Sequence, residues 1–294
     1  MKIFLFTISI ILTCTNSIFS QVSINGKVIN KENNKPVDLV TISIKHKSIG
    51  TYSNQDGEFT IDKVNIKDTL VIRHLSYKDR NIAISDIPSN GVILLQTNTN
   101  VIRSICVNAY KHKEYEIGFS KKRSHSNFGM NSLGNKIITL ISNSNYKDYF
   151  IKEIVVCVKK ESNSHYYLRT HLYENNNNKP GKEIFCKNNI HEINKSERKL
   201  YLNISEEYIR FPKEGIFVGI ELLGQTLDRK NNKINNEIIK PWIKTSSIKS
   251  HSFIEMWHNR WFELSSRDLF KHMKKNNSAK EYYETPLIGL KLEK

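Results

Sequence analysis

The chain predicts an all-β protein of two antiparallel β-sandwich domains, a small one followed by a larger one. Three observations lead there. Apolar and polar residues alternate with period two in many short segments. Turn signals such as Asp56-Gly57 and Pro180-Gly181 recur between those segments, and helical periodicity is confined to Ser265 to Lys274. A length of 294 residues, with 38% hydrophobic and 10% aromatic content, suffices for two separate cores.

The first twenty residues stand apart. Lys2 precedes an apolar run from Ile3 to Leu12, which the polar stretch Thr13 to Ser20 interrupts. Roughly 20 apolar residues are needed to cross a bilayer, so residues 1–20 read as a secretory signal peptide, with the mature chain starting at Gln21. Lipidation at Cys14 is the rival reading, and Thr13 is larger than the small residue such processing prefers. No later segment reaches spanning length, so no transmembrane segment is expected in the mature chain.

From Ile24 to Ile29 the chain reads as a strand, closed by the polar Asn33-Asn34-Lys35-Pro36-Val37. Val40, Ile42 and Ile44 alternate with Thr41, Ser43 and Lys45, which predicts one buried and one wet face. At Gly57 to Ile61, Phe59 and Ile61 should point inward, after a tight turn whose positive dihedral Gly57 supplies. Thr69 to Leu75, Asn81 to Ser85 and Val92 to Gln96 complete about seven short strands, enough for a sandwich.

Residues 23 to about 108 resemble the carboxypeptidase regulatory-like domain, a transthyretin/Ig-like sandwich of exported proteins in Bacteroidetes-type bacteria. Ile24-x-Gly26-x-Val28 with Pro36-Val37, Gly50-Thr51-x-Ser53-Asn54-x-x-Gly57-x-Phe59, and Asp68-Thr69-Leu70-Val71-Ile72 with Leu75-Ser76-Tyr77-Lys78 carry the likeness. Ser53 and Asn54 depart from the usual Thr and Asp, and a neutral Asn makes this loop a poor cation holder. Val101 to Val107 is similar to the strand that joins such domains to outer-membrane receptors, but the remaining chain cannot supply a receptor-sized barrel.

Residues 109–128 are polar and basic and read as a linker. A second domain is expected over 129–294, jelly-roll-like, from strands at Ile137 to Ile141, Phe150 to Val158, His165 to Tyr173, Lys199 to Ile204, Gly215 to Leu223, Ser252 to Met256 and Pro286 to Leu292. Asn175 to Gly181 reads as a polar loop. Arg169-x-x-Leu172-Tyr173, Lys179-Pro180-Gly181, Leu200-x-Leu202 and Gly215-x-Phe217-Val218-Gly219-Ile220-Glu221 resemble an uncharacterised sandwich module that follows the regulatory-like domain in similar proteins.

The formal charge is +16, and only Lys2 of that lies in the leader. Such an excess attracts polyanions or simply keeps a surface solvated. Export excludes nucleic acid and leaves an envelope protein or an anionic or neutral glycan as partner. Cys106, Cys157 and Cys186 remain after the leader, an odd number, with a Cys157–Cys186 bridge possible and burial of Cys157 the simpler reading.

Catalytic motifs are sparse. His171-Leu172-Tyr173-Glu174 matches His-x-x-Glu, with His251, His258 or His272 as a conceivable third zinc ligand, but residues three apart on a strand face opposite sides. No nucleophile elbow, phosphate loop or cofactor motif occurs. Trp257, Arg260 and Trp261 form the one candidate ligand-binding group, since aromatic faces beside directed donors suit sugars; filling of the core is the competing role. The sequence therefore predicts a non-enzymatic exported envelope protein, an interaction or carbohydrate- or protein-binding module without cofactor or metal. An accessory component of an outer-membrane nutrient-uptake system and a polysaccharide hydrolase in the second domain are the alternatives.

Overall fold

The structure is a computed structural model that describes residues 22–98, 113–130, 132–144, 148–160, 165–185, 188–194, 197–224, 241–257, 260–264 and 283–294. The expected leader, Cys14, the segment Val101 to Val107, Cys106, Cys186, His258, His272 and the helical stretch from Ser265 all lie outside the described residues.

The first domain holds β1 (Val22–Asn30), β2 (Thr41–Ile44), β3 (Gly50–Tyr52), β4 (Glu58–Val64), β5 (Thr69–Arg73), β6 (Arg80–Ala83) and β7 (Val92–Leu95). They form two sheets, β4-β1-β7 and β3-β2-β5-β6. Pairing is antiparallel except between β1 and β7. Val28, Phe59, Ile61, Ile42, Ile44, Leu70, Ile72 and Ile93 meet between them, as the period-two patterns require. The turn before β4 is built as expected: Gly57 has φ of 76°. The side-chain oxygen of Asn54 accepts from the Asp56 and Glu58 N–H groups at 3.0 and 2.8 Å. Asn54 is thus a buried structural cap.

The second domain holds β8 (Glu114–Gly118), β9 (Ser126–Gly129), β10 (Asn135–Ile141), β11 (Phe150–Cys157), β12 (Tyr166–Asn176), β13 (Lys179–Glu183), β14 (Ile190–Ile193), β15 (Lys199–Asn203), β16 (Ile216–Gly224), β17 (Trp242–Ser246), β18 (Ser252–Met256), β19 (Phe262–Glu263), β20 (Thr285–Pro286) and β21 (Ile288–Glu293). A sheet of order β13-β12-β16-β10-β18-β19, with β14 also on β12, faces a second sheet β15-β11-β21-β8; β20-β17-β9 is a smaller third. Ile137, Ile154, Val156, Leu168, Leu172, Val218, Ile220, Leu222 and Leu290 fill the space between.

Two boundaries differ from the sequence reading. The described part of the supposed linker, from residue 113, carries β8 and β9, which pair with β21 and β17. Those strands are polar because they edge their sheets, and an edge strand needs few apolar residues. Asn175 to Gly181 is likewise a hairpin rather than a loop: Asn177 and Asn178 adopt φ of 51° and 62°, the left-handed pair of a tight turn, and Lys179–Glu183 returns as β13.

The expected wet face of β2 is also dry. Thr41 and Ser43 are buried as fully as Ile42 and Ile44. The reason is the second domain. Tyr52 joins Leu223 and Trp257 in one apolar cluster, and Leu75 packs on the second domain's core. The β3-β2-β5-β6 sheet is therefore enclosed on both sides, and a single-domain periodicity argument had no means of including the partner sheet.

Candidate functional site

Period-two alternation sends Leu168, Thr170 and Leu172 of β12 one way and Arg169, His171 and Tyr173 the other. The first set includes core residues of the sandwich. The second lies on the face toward the first domain. In β16 and β10 the same rule places Glu221 and Lys136 on that face, and in β18 Glu255. Register then aligns them: Arg169 opposes Glu221, Glu221 opposes Lys136, and Lys136 opposes Glu255. Four adjacent strands thus carry a buried row of alternating charge.

The row is closely paired. Arg169 Nη1 lies 3.3 Å from Glu221 Oε2, and Lys136 Nζ lies 3.2 Å from Glu255 Oε2. Lys136 also donates to Tyr173 Oη at 2.7 Å and sits over the rings of Tyr173 and Trp261. Burial pushes the Glu221 carboxyl up, but the Arg169 charge, the His171 hydrogen bond and the Lys136 charge outweigh it and hold the group well below the usual carboxylate range. Burial, with the charges of Glu183 and Glu255, holds the Tyr173 phenol well above its ordinary value. Glu221 is consequently ionised and Tyr173 neutral at physiological pH.

His171 stands one step along the same face, with a carboxylate at each ring nitrogen. Nδ1 is 3.1 Å from Glu183 Oε2 and Nε2 is 2.9 Å from Glu221 Oε2. Gly219 opposes it in β16. A Cβ there would come within 2.0 Å of the Ile137 carbonyl oxygen, so only glycine permits this approach of β16 to β10.

The first domain closes over the row. Tyr52 Oη donates to Glu221 Oε1 at 2.5 Å, and Arg169 Nη2 donates to the Leu39 carbonyl at 2.9 Å. The Asn188 amide lies 2.8 Å from His74 Nε2. Beside these contacts the domains leave a cleft of about 400 Å³, within the range of small-molecule sites. Arg73, His74 and Tyr77 come from the first domain, and Arg169, His171 and Glu183 from the second. Burial and the Arg169 charge push the His74 imidazole down to about 4. Among the described residues, the buried atoms Arg169 Nε, Asn188 Oδ1 and Asn189 Nδ2 have no hydrogen-bond partner.

The residues singled out from the sequence are placed otherwise. Trp257, with φ of 53°, is buried against Tyr52 at a ring distance of 5.0 Å. Trp261 packs edge-on to Tyr173 at 5.3 Å, in a different cluster. Arg260 is exposed and covers Phe262. The two tryptophans therefore belong to different clusters, one at the domain junction and the other over Tyr173 and Lys136.

The His-x-x-Glu match fails as a zinc motif. His171 is buried while Glu174 is exposed, because both sit inside β12, where residues three apart diverge. His251 pairs with Glu263 on the surface. Among the described residues, no three His, Cys, Asp or Glu converge as metal ligands do. Cys157 is a free, buried thiol, whereas Cys186, its conceivable partner, lies outside the described residues.

Sequence reading passed over the charge row. Its signal is present, however: Lys136 and Glu221 are lone charges inside strands that are otherwise buried throughout.

None of the curated proteins compared with the chain matches it. Among the described residues no helix is long and apolar enough to cross a membrane. Residues 24–107 match the family model of the CarboxypepD_reg-like domain, and the seven-strand sandwich at the amino-terminal end of this chain is a domain of that kind.

Proposed function

We propose that the protein is a non-enzymatic, exported binding module of the cell envelope, and that carbohydrate is taken in the cleft between its two sandwiches. One observation carries this reading: the cleft is walled by side chains of both domains, which are locked together by Tyr52, Arg169 and Glu221. A site assembled across a rigid junction suits recognition, since little ordering is needed on binding. Tyr77 and His74, edge to face at 5.1 Å, offer ring surface, and Arg73, Arg169 and Lys182 offer donors. Export is inferred from residues 1–20 and agrees with the envelope setting in which the regulatory-like domain is expected.

A glycan array probed with the wild-type chain and with Arg73→Glu tests it. Binding to a defined glycan class that the variant loses supports the reading. Wild-type binding that Arg73→Glu leaves intact, or no binding to any glycan, refutes it.

A second reading has one observation in its favour: His171, Glu183 and Asp79 converge on the same concave surface, as a polysaccharide hydrolase would need. Against it, Glu183 is held by His171 and the Leu172 N–H, and Asp79 by Arg73. Release of reducing ends from a polysaccharide panel by wild type, abolished in Glu183→Gln, would establish hydrolysis in place of simple binding.

A further inference from the structure

Strand pairing gathers cations at one end of the second sandwich. The end of β8, the end of β11 and the start of β15 meet there: Gly118 opposes Gly289, Val156 opposes Ile288, and Cys157 opposes Lys199. The start of β17 joins them, since Val158 bridges Ile243 and the Lys159 N–H donates to the Trp242 carbonyl at 2.8 Å. The turn between β8 and β9 reaches the same place, where Cys157 Sγ donates to the Ser120 carbonyl at 3.2 Å. Lys121, Lys122 and Arg123 on that turn, Lys159 and Lys160 after β11, and Arg198 before β15 are all exposed.

Neighbouring acids do not cancel this charge. Glu116 is held by Lys199 at 3.0 Å and by Ser120 Oγ at 2.7 Å. Glu284 accepts from Thr245 Oγ1 at 2.6 Å, and Glu197 is exposed beside Arg198. None of the six exposed cations is paired with an acid among the described residues. With Lys199 and the half-buried Lys244, eight cations thus share this end with those three acids. An excess of one sign on a solvated face creates a potential that draws an oppositely charged partner.

We propose that this end lies against a membrane surface rich in anionic phosphate headgroups. The six exposed cations come from three separate segments at strand ends and a turn, and none of them lines the cleft at the domain junction. Their charge is therefore offered to an extended surface, and nothing in it depends on the glycan-binding cleft. Four of the six are lysines, flexible point charges that suit a diffuse layer of phosphates, whereas arginine suits bidentate recognition of single groups. Trp242 stands half-buried among them, with Lys159 Nζ 6.0 Å from its ring centre. Indoles concentrate at membrane–water interfaces, which favours a bilayer over a soluble polyanion.

Co-sedimentation of the full chain with vesicles of mixed phosphatidylglycerol and phosphatidylcholine, and with vesicles of phosphatidylcholine alone, tests this. The chain should bind the anionic vesicles at about 0.05 M salt and leave them at about 0.5 M, because salt screens exposed charges. Each cation near such a surface is worth roughly fivefold in partitioning. Lys121→Gln, Lys122→Gln and Arg123→Gln together, on an exposed turn, should therefore lower binding about a hundredfold. Lys159→Gln with Lys160→Gln, on a separate segment, should lower it about twentyfold. Lys31→Gln, Lys35→Gln and Lys67→Gln together remove the same charge from the first domain and should leave binding within about twofold. Equal losses in the two triple variants would mean that net charge, and not this end, drives binding, and would overturn the proposal. Equal binding to neutral vesicles, or binding that survives high salt, would overturn it in favour of an inserted apolar segment. No sedimentation with either vesicle also overturns it. Polygalacturonate bound more tightly than anionic vesicles at equal charge concentration would reassign the surface to a polysaccharide.

Discussion

Tyr52 Oη and Glu221 Oε1 lie 2.5 Å apart, although 169 residues separate them in sequence. The phenol comes from the short β3 of the first domain and the carboxylate from the middle of a fully buried strand of the second. Glu221 also meets Arg169 and His171. This hydrogen bond across the junction therefore ends on an acid that is already held by two cationic or imidazole partners, and the two sandwiches share one electrostatic unit.

Tyr52→Phe removes that bond while the ring stays to pack on Trp257. Hydrogen bonds to charged acceptors contribute about 1.5–3 kcal/mol, and Glu221 keeps its other partners, so a loss near 1.5 kcal/mol is expected. Urea unfolding should show a lower midpoint. An unchanged midpoint would mean that the junction does not depend on this contact.

Glu221→Gln should be harsher, because Arg169 and Lys136 are then buried with less negative charge between them. Breaking a buried pair from one side costs about 3–5 kcal/mol, whereas replacing both partners by apolar residues can be near neutral. Arg169→Met combined with Glu221→Leu should accordingly be less destabilised than Glu221→Gln alone. A double-mutant cycle measures the difference. Simple additivity of the two single losses would contradict the pairing.

The parts of the fold legible in the sequence were those set by local pattern. Phe59 and Ile61 pointed inward because alternation alone decides their face, and Gly57 turned because only its dihedral fits. Thr41 and Ser43 were misjudged because their burial depends on another domain. The site was partly visible: Arg169, Tyr173 and Glu221 belong to the motifs that gave the second half its weak resemblance, though nothing local indicated that they share a face. Register between β12, β16, β10 and β18 creates the row, and register is a property of paired strands. Tyr52 carried no signal whatever, being an aromatic residue in a short strand.

Gly50 and Gly134 both press on one indole. A Cβ on Gly50 would meet Trp257 at 2.4 Å and one on Gly134 at 2.5 Å. Gly134 additionally holds φ of 72°. Gly50→Ala isolates the steric effect, and overpacking of this sort costs about 1–3 kcal/mol. The variant should unfold at lower urea with altered tryptophan fluorescence; a wild-type spectrum and midpoint would show that Trp257 does not pack there.

Stability should fall in mild acid. Burial and the Arg169 charge lower His74 to about 4, and burial lowers His191 to about 4, from an unfolded value of 6.5. Between those values the unfolded chain binds more protons, so stabilisation present above pH 6.5 is lost progressively as pH falls toward 4. At pH 5 the loss is about 2 kcal/mol per ring, before most carboxylates titrate. Thermal unfolding at pH 7.5 and pH 5 should show the drop, and His74→Gln should reduce it. An identical pH dependence in that variant would remove His74 as a source.

Cys157 should behave as an inert core thiol. It is 5% exposed on β11, and its Sγ donates to the Ser120 carbonyl at 3.2 Å. Burial raises its pKa, which the charges of Lys199 and Lys244 only partly counter, so the reactive thiolate is scarce. Iodoacetamide at pH 8 followed by peptide mapping should leave Cys157 unmodified in the native chain and label it in urea, without prior reduction. Cys157→Ser should retain the fold, because a hydroxyl can donate to the same carbonyl. Rapid native labelling, or a requirement for reductant, would place the thiol outside the core or in a bridge.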